Sequence, residues 1–293
     1  MIQKIQAKTV IHKHDKAFPV MYDLNPYRGC TIGCKYCFAQ YSHYYIGLEN
    51  FFKDIVVKEN VAECLDAELS KMQRNRQQIK IGGVTDAYQP LEKKLALMPD
   101  ILSVFEKYKV PIFISSKSDL ILRDLDLIKD LAQVTAVDIA VSISCFNEEN
   151  ARVFEPGASP PIKRIEALAQ FKDFCRTTSV LNMPILPFIS DGFEELEALF
   201  AITAKLGIDN LVSYPLSLRN AEVKNRFIKL VKENFPEASQ EFVSLYKQAS
   251  SPNKQYATSL YQKINILREK YKLSDGYVPL DSSELEYQMD LFG

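Results

Sequence analysis

Cys30, Cys34 and Cys37 stand in the run Asn25–Ala39 at the spacing C-x3-C-x2-C. Thiolates are ligands for soft metals and for iron–sulfur clusters. A cubane cluster held wholly by protein takes four cysteines, one per iron. Three leave one iron with an open position, where a further molecule can coordinate and react. Gly29 and Gly33 flank the motif and suit a tight loop whose backbone lies close to the ligands. A second reading of the same residues is a structural zinc site, with His43 as fourth ligand. A disulfide framework does not suit a chain of 293 residues with no secretory pattern at its start. Cys64 and Cys175 sit on apolar helical stripes and read as inert core thiols.

The elements that must position this loop alternate from about residue 19 to 214. Strands are expected at Pro19–Leu24, Gln78–Val84, Val110–Ser116, Val137–Cys145, Val180–Phe188 and Asn210–Tyr214. Helices with 3.6-residue apolar spacing are expected at Val61–Arg74, Leu120–Leu131, Pro161–Arg176 and Phe193–Leu206. Strands alternating with helices imply parallel pairing with right-handed crossovers. The predicted fold is α/β: a partial (β/α)6 TIM-like barrel with a C-terminal helical appendage and an extended tail. The barrel is expected over residues 1–219, the appendage over 220–280 and the tail over 281–293. Chemistry in such barrels belongs at the C-terminal ends of the strands. The cysteine loop follows the first strand there.

Period-two alternation assigns faces to those strands. In Val137–Cys145 the bulky face is Val137, Ile139, Val141, Ile143 and Cys145, and the small polar face is Asp138, Ala140, Ser142 and Ser144. The polar face is expected to point into the barrel, with Ser142 and Ser144 at the ligand end. Ser115 and Lys117 share a face at the end of the third strand, where a lysine can pair with a ligand carboxylate. The second strand runs into Gly82-Gly83-Val84-Thr85-Asp86-Ala87-Tyr88-Gln89-Pro90, and the paired glycines allow close backbone approach to a ligand. Cys145 ends a strand on the functional side.

Composition sets outer bounds. The chain is 47% hydrophobic with a net charge of −1 from 36 basic and 37 acidic side chains. That balance supplies no electrostatic argument for a nucleic-acid partner and leaves room for a local basic patch. No apolar run approaches the ~18 residues of a membrane span. The expected setting is therefore a reducing cytoplasm, with no membrane partner.

The cysteine spacing resembles that of the radical S-adenosylmethionine (radical SAM) superfamily. With Gly82–Pro90, Ser115-Lys117-Ser118, Arg123–Asp126, Glu155-Pro156, Lys163-Arg164 and Pro184–Pro187, the chain is similar to the spore photoproduct lyase-like branch of that family. The resemblance implies a 4Fe–4S cluster on Cys30, Cys34 and Cys37, with SAM chelating the open iron. Reductive cleavage of SAM would yield a 5′-deoxyadenosyl radical, with the electron from an external donor such as flavodoxin or ferredoxin. Tyr36, Phe38 and Leu186 would lie near the adenine. Gly82, Gly83 and Thr85, with Asp86, would line the methionine or sulfonium region, and Lys117, Ser115, Ser142 and Ser144 would meet its polar groups. A nucleic-acid lesion or modified nucleotide is the implied substrate; a peptide substrate, and a zinc-bearing binding module without catalysis, are the alternatives.

Two departures matter. The branch's best-known member returns a hydrogen atom from a cysteine where this chain has Gly83, and relays it through two tyrosines, of which only Tyr36 is present beside Phe38. Reversal of the spore photoproduct is therefore not expected. Tyr88 and Cys145 are candidate substitutes in the relay. Finally, Gln288-Met289-Asp290-Leu291-Phe292 resembles the bacterial sliding-clamp-binding peptide. Leu291 and Phe292 would fill an apolar pocket, with Gln288 and Asp290 at its edge.

Overall fold

The computed structural model describes residues 1–13, 22–72, 77–276 and 280. Strands β1 (Ile2–Ile5), β5 (Ile55–Lys58) and β4 (Tyr27–Arg28) form a small three-stranded sheet in the order β1-β5-β4. The larger sheet contains β2 (Ile11–Lys13), β3 (Tyr22–Leu24), β6 (Ile79–Ile81), β7 (Ile112–Ser116), β8 (Val137–Ser142), β9 (Thr177–Ile185) and β10 (Asn210–Pro215). Its order is β10-β9-β8-β7-β6-β3-β2, parallel throughout except where β2 runs against β3. The six parallel strands are the six expected, and they form the partial barrel. Among the described residues, β10 gains only an isolated bridge from Asn210 to Ser274, so the sheet does not close there.

The crossovers are helical because their apolar residues recur at helical spacing. They are α1 (Val61–Leu69), α2 (Glu92–Leu95), α3 (Met98–Tyr108), α4 (Leu125–Val134), α5 (Glu148–Phe154), α6 (Pro161–Ala169) and α7 (Phe193–Lys205). Ile139, Val141 and Val180 on the strands pack with Leu65, Ile128, Leu168 and Phe200 of these helices in one buried core. The opposite face carries Lys80, Phe113, Asp138 and Thr177 in register across four strands. Asp138 is not a ligand group at the mouth. It accepts hydrogen bonds from Gln78 Nε2 at 2.7 Å, Arg176 Nε at 2.9 Å and Thr177 Oγ1 at 2.9 Å, and so ties β8 to its neighbours.

Several elements differ from the sequence expectation: α2 and α5 are additional, and α1 and α6 end at Leu69 and Ala169, short of the expected Arg74 and Arg176. The helix expected from Leu120 begins as a 3-10 turn over Asp119–Asp124 before α4. Helix α3 is added, with Met98, Ile101, Leu102 and Phe105 buried at i, i+3, i+4 and i+7. The small sheet is also additional. Its strand β5 is buried at every position although only four residues long.

After the barrel come α8 (Ala221–Asn234), α9 (Pro236–Tyr246) and α10 (Lys254–Tyr271). They are built into the molecule. Phe154 of α5 stacks between Phe227 and Phe235, at centroid distances of 5.4 and 5.2 Å. Leu260, Ile264 and Leu267 of α10 join the main core. Gln288, Asp290, Leu291 and Phe292 lie outside the described residues. No helix among the described residues is long and apolar enough to cross a membrane.

Gly157 sits where two chain segments cross: a Cβ there would meet the Thr31 carbonyl oxygen at 2.4 Å and the Ile32 Cα at 2.9 Å. Backbone cannot yield as a side chain can. Gly157→Ala is expected to cost about 3 kcal/mol in urea unfolding. Gly276→Ala, whose Cβ would find only Ser274 Oγ at 3.9 Å, is expected to change stability by less than ~0.5 kcal/mol.

Candidate active site

The cysteine loop leaves β4 through Gly29, whose φ of 85° and lack of a Cβ are both required. A Cβ there would stand 2.8 Å from the carbonyl oxygens of Phe51 and Asp54. The loop is then clamped on two sides. Cys30 N–H donates to the Phe51 carbonyl at 3.0 Å, Lys35 N–H to that of Phe154 at 2.9 Å, and Gly157 N–H to that of Ile32 at 2.8 Å. Within the loop Cys37 N–H donates to the Cys34 carbonyl at 3.1 Å. All three thiols are free of disulfides. Burial pushes the Cys30 thiol up to about 12 and raises those of Cys34 and Cys37; beside Cys34 and Cys37, Lys117 acts in the opposite direction.

This donor set fits an iron–sulfur cluster: three unpaired thiols on one clamped loop, without a fourth. The zinc set is not assembled. His43 Nε2 lies 2.7 Å from the Asp54 carbonyl oxygen, and its ring packs edge-on against Phe51 at 5.0 Å. Among the described residues no three His, Cys, Asp or Glu side chains converge on a single ion. A cubane asks for no such convergence, because each thiolate binds a different iron.

The Gly82–Gln89 segment braces this loop. Thr85 Oγ1 donates to the Gly29 carbonyl at 2.7 Å. Gln89 accepts from Thr31 N–H at 2.8 Å and donates to the Gly29 carbonyl at 3.3 Å. Asp86 accepts from Tyr88 N–H at 2.9 Å, Ser116 Oγ at 2.8 Å and Lys117 N–H at 2.7 Å, and so fixes the backbone beneath Lys117. Burial raises the Asp86 carboxyl above its ordinary value despite those donors. Gly82 has φ 87°, and a Cβ on it would meet the Thr85 carbonyl oxygen at 2.9 Å. A Cβ on Gly83 would stand 2.8 Å from Asp23 Oδ2. The place a cysteine side chain would take is thus held by Asp23, whose same oxygen accepts from Asn25 Nδ2 at 2.7 Å. Asp23 carries no motif spacing, and only the fold brings it here.

At the centre lies Glu155, fully buried at the end of α5. It accepts from the Tyr36 hydroxyl, from Ser144 Oγ at 2.8 Å and from Arg164 Nη1 at 2.7 Å. Lys117 Nζ stands 3.7 Å away. Arg164, 1% exposed, also donates to the Ser142 carbonyl at 2.7 Å and the Ser159 carbonyl at 2.6 Å. Burial alone would raise the Glu155 carboxyl. Arg164 and Lys117, with the Tyr36 bond, hold it below the ordinary range instead. Lys117 faces a second buried carboxylate as well, that of Asp86, and at 14% side-chain exposure it is the more accessible of the two cations. Sequence periodicity missed Glu155 and Arg164, because a charged residue beside an apolar helical stripe reads as solvated.

Ser115 and Ser142 are half-buried on the barrel-facing side of their strands. Leu186 and Cys145 are buried in the second apolar cluster with Phe154 and Phe227, and burial pushes the Cys145 thiol up. Tyr88 is fully buried in the helix-packed core. Phe38 is 59% exposed.

The chain matches the sequence family described as the radical SAM superfamily over residues 24–200, from β3 into α7. It belongs to the radical SAM superfamily. Uncharacterized proteins of Mycobacterium tuberculosis and Mycobacterium bovis are each 30% identical to this radical SAM protein over 281 residues, covering 94% of this chain and 82% of theirs. One of Methanocaldococcus jannaschii is 30% identical over 243 residues, covering 83% and 86%. The fold is similar to that of a spore photoproduct lyase variant with bound AdoMet and dinucleoside spore photoproduct. That comparison has a TM-score of 0.65 at 12% identity and covers 94% of this chain and 82% of the other. A second spore photoproduct lyase variant superposes at 0.66 with 14% identity, covering the same shares. The fold is therefore the radical SAM partial barrel with C-terminal helices, and the family's cofactors are a 4Fe–4S cluster and SAM.

Because the folded-state pKa of Glu155 lies below its unfolded value, its stabilisation is present above the unfolded value, ~4.3. It is lost as pH falls through the folded one. Glu155→Gln, which leaves Arg164 buried without its counter-charge, is expected to cost about 3–5 kcal/mol at pH 7. Urea unfolding at pH 7 and at lower pH should show the gap between variant and parent narrowing in acid.

Proposed function

We propose that this radical SAM enzyme acts on a nucleic-acid lesion or modified nucleotide, and that its reaction is not reversal of the spore photoproduct. The observation that carries the second half is Asp23 at the space beside Gly83. A barrel like that of spore photoproduct lyase, one of whose structures is complexed with the dinucleoside spore photoproduct, supports the first.

Cys30, Cys34 and Cys37 are assigned as cluster ligands. Lys117, the more accessible of the two cations around Glu155, holds the SAM carboxylate. Gly82 and Gly83 let the backbone of this segment approach closely, and Ser115 and Ser142 offer hydroxyls to SAM. When bound, the cluster and SAM supply one-electron cleavage of the sulfonium to methionine and a 5′-deoxyadenosyl radical. The protein holds the reactants in register and keeps water out. Tyr36 is held by Glu155 against the side of Phe227, at a centroid distance of 6.5 Å, so its phenol cannot swing away from the cavity. Cys145 is kept as a secondary hydrogen-atom donor. A flavodoxin or ferredoxin in a reducing cytoplasm would supply the electron.

Anaerobic reconstitution should yield a brown protein that forms 5′-deoxyadenosine from SAM on reduction. Cys34→Ala should lose iron and activity together. Lys117→Met should keep its iron and raise the KM for SAM about tenfold or more, since a charge-assisted hydrogen bond is lost. Colourless, iron-free protein after reconstitution would overturn the assignment. The tail is proposed as an anchor to a bacterial sliding clamp. The full-length Leu291→Ala/Phe292→Ala variant should lose clamp retention in gel filtration and keep its SAM cleavage.

A further inference from the structure

Directly after Cys37 the chain enters a 3-10 turn over Phe38–Ile46. At a rise of about 2 Å per residue it extends roughly 18 Å away from the cluster loop. Four of its residues expose large rings: Phe38 at 59%, Tyr41 at 40%, Tyr44 at 63% and Tyr45 at 80%. Tyr41 and Tyr45 meet edge-to-face at a centroid distance of 6.0 Å, and this sets their ring planes perpendicular. The turn itself is fixed. Tyr44 donates its hydroxyl to Glu222 at 2.5 Å, and Arg226 donates to Gln40 at 2.6 Å, both from α8. The Gly47 N–H and Leu48 N–H close it onto the Tyr44 and His43 carbonyls. A rigid turn with outward aromatic faces loses little conformational entropy when those faces are covered.

The exposed rings, on a segment free of acidic residues, point to the occupant of this surface. From Asn25 to Leu48 the sequence contains no acidic residue, although the whole chain has 37. The same stretch contains Arg28 and Lys35, while Arg226 of α8, which donates to Gln40, is paired with Glu222 at 2.6 Å and adds no net charge. Further aromatic rings stand exposed at the ends of the last two strands: Phe188 at 41% and Tyr214 at 57%. Flat π faces on a turn whose own sequence carries no acidic group, with the exposed Lys35 just before it, fit a polyanion whose bases are unstacked.

We propose that the Phe38–Ile46 turn is a stacking platform for unpaired bases, on which Tyr41 and Tyr45 hold the single-stranded flank of the nucleic acid while the target nucleotide enters the barrel. This rests on the nucleic-acid reading of the substrate and narrows it: the substrate is single-stranded or locally unpaired. A well-stacked duplex offers no free base faces to the platform.

The test uses the anaerobically reconstituted, full-length holoenzyme and fluorescein-labelled oligonucleotides: a single-stranded dT12, and a blunt duplex of equal length, at two salt concentrations. Parent enzyme should bind the single strand more tightly than the duplex. Tyr41→Ala/Tyr45→Ala should weaken single-strand binding by about tenfold or more without changing the rate of 5′-deoxyadenosine formation in the absence of substrate. Tyr41→Phe/Tyr45→Phe, which keeps both π faces, should bind like the parent. Equal binding by the parent and the double alanine variant would overturn the platform alone. Failure of the parent to bind either oligonucleotide would overturn the nucleic-acid reading, and the platform with it. A variant that binds the oligonucleotide normally but is reduced more slowly by flavodoxin would reassign the surface to the electron donor.

Discussion

The buried carboxylate of Glu155 is the interaction on which the rest of the site depends. A carboxylate taken out of water is tolerated only if it is paired and hydrogen-bonded. Here its partners come from four separate parts of the chain: Tyr36 on the cysteine loop, Lys117 after β7, Ser144 after β8 and Arg164 on α6. Satisfying that one charge brings the loop that carries the thiols against the strand ends that line the cavity. It also engages Lys117, the more accessible of its two cations, which faces the buried Asp86 carboxylate as well.

The second constraint is close backbone approach. The cysteine loop is held by main-chain hydrogen bonds to residues 51, 154 and 157 and by two glycines that admit no Cβ, Gly29 and Gly157. Phe154 links this region to the C-terminal helices, since its ring stacks on Phe227 and Phe235 while its carbonyl accepts from Lys35. Helix α8 thus reaches the site from two sides, through Phe227 against Tyr36 and through Glu222 and Arg226 on the aromatic turn. Helices that read in sequence as an appendage take part in positioning the chemistry.

Much of the barrel was legible. Alternation over Val137–Ser142 placed Ile139 and Val141 against the helices, and the structure packs them there. The small sheet was not legible, because β5 is a four-residue run whose burial depends on β1 and β4, far from it in sequence. Helix α3 had a readable stripe of Met98, Ile101, Leu102 and Phe105. Glu155 and Arg164 stood in segments that resemble the family, but no periodicity showed that these two charged residues are buried against each other. A lone ionisable residue in a sequence is usually solvated, and only its partners reveal otherwise.

Sequence alone determined the ligand chemistry. Three cysteines at C-x3-C-x2-C are a local feature, and their number and spacing require no tertiary contact to be meaningful. It also showed that Gly83 and Phe38 depart from the best-known relay. Only the tertiary structure decided why Gly83 is glycine: the carboxylate of Asp23, sixty residues earlier in the chain, occupies the space that a side chain would need. The same holds for His43, which turns to the Asp54 carbonyl, and for Tyr88, which the core encloses. Residue type and spacing specify what a group can do. What it is free to do depends on neighbours that are distant in sequence, and those are set by packing.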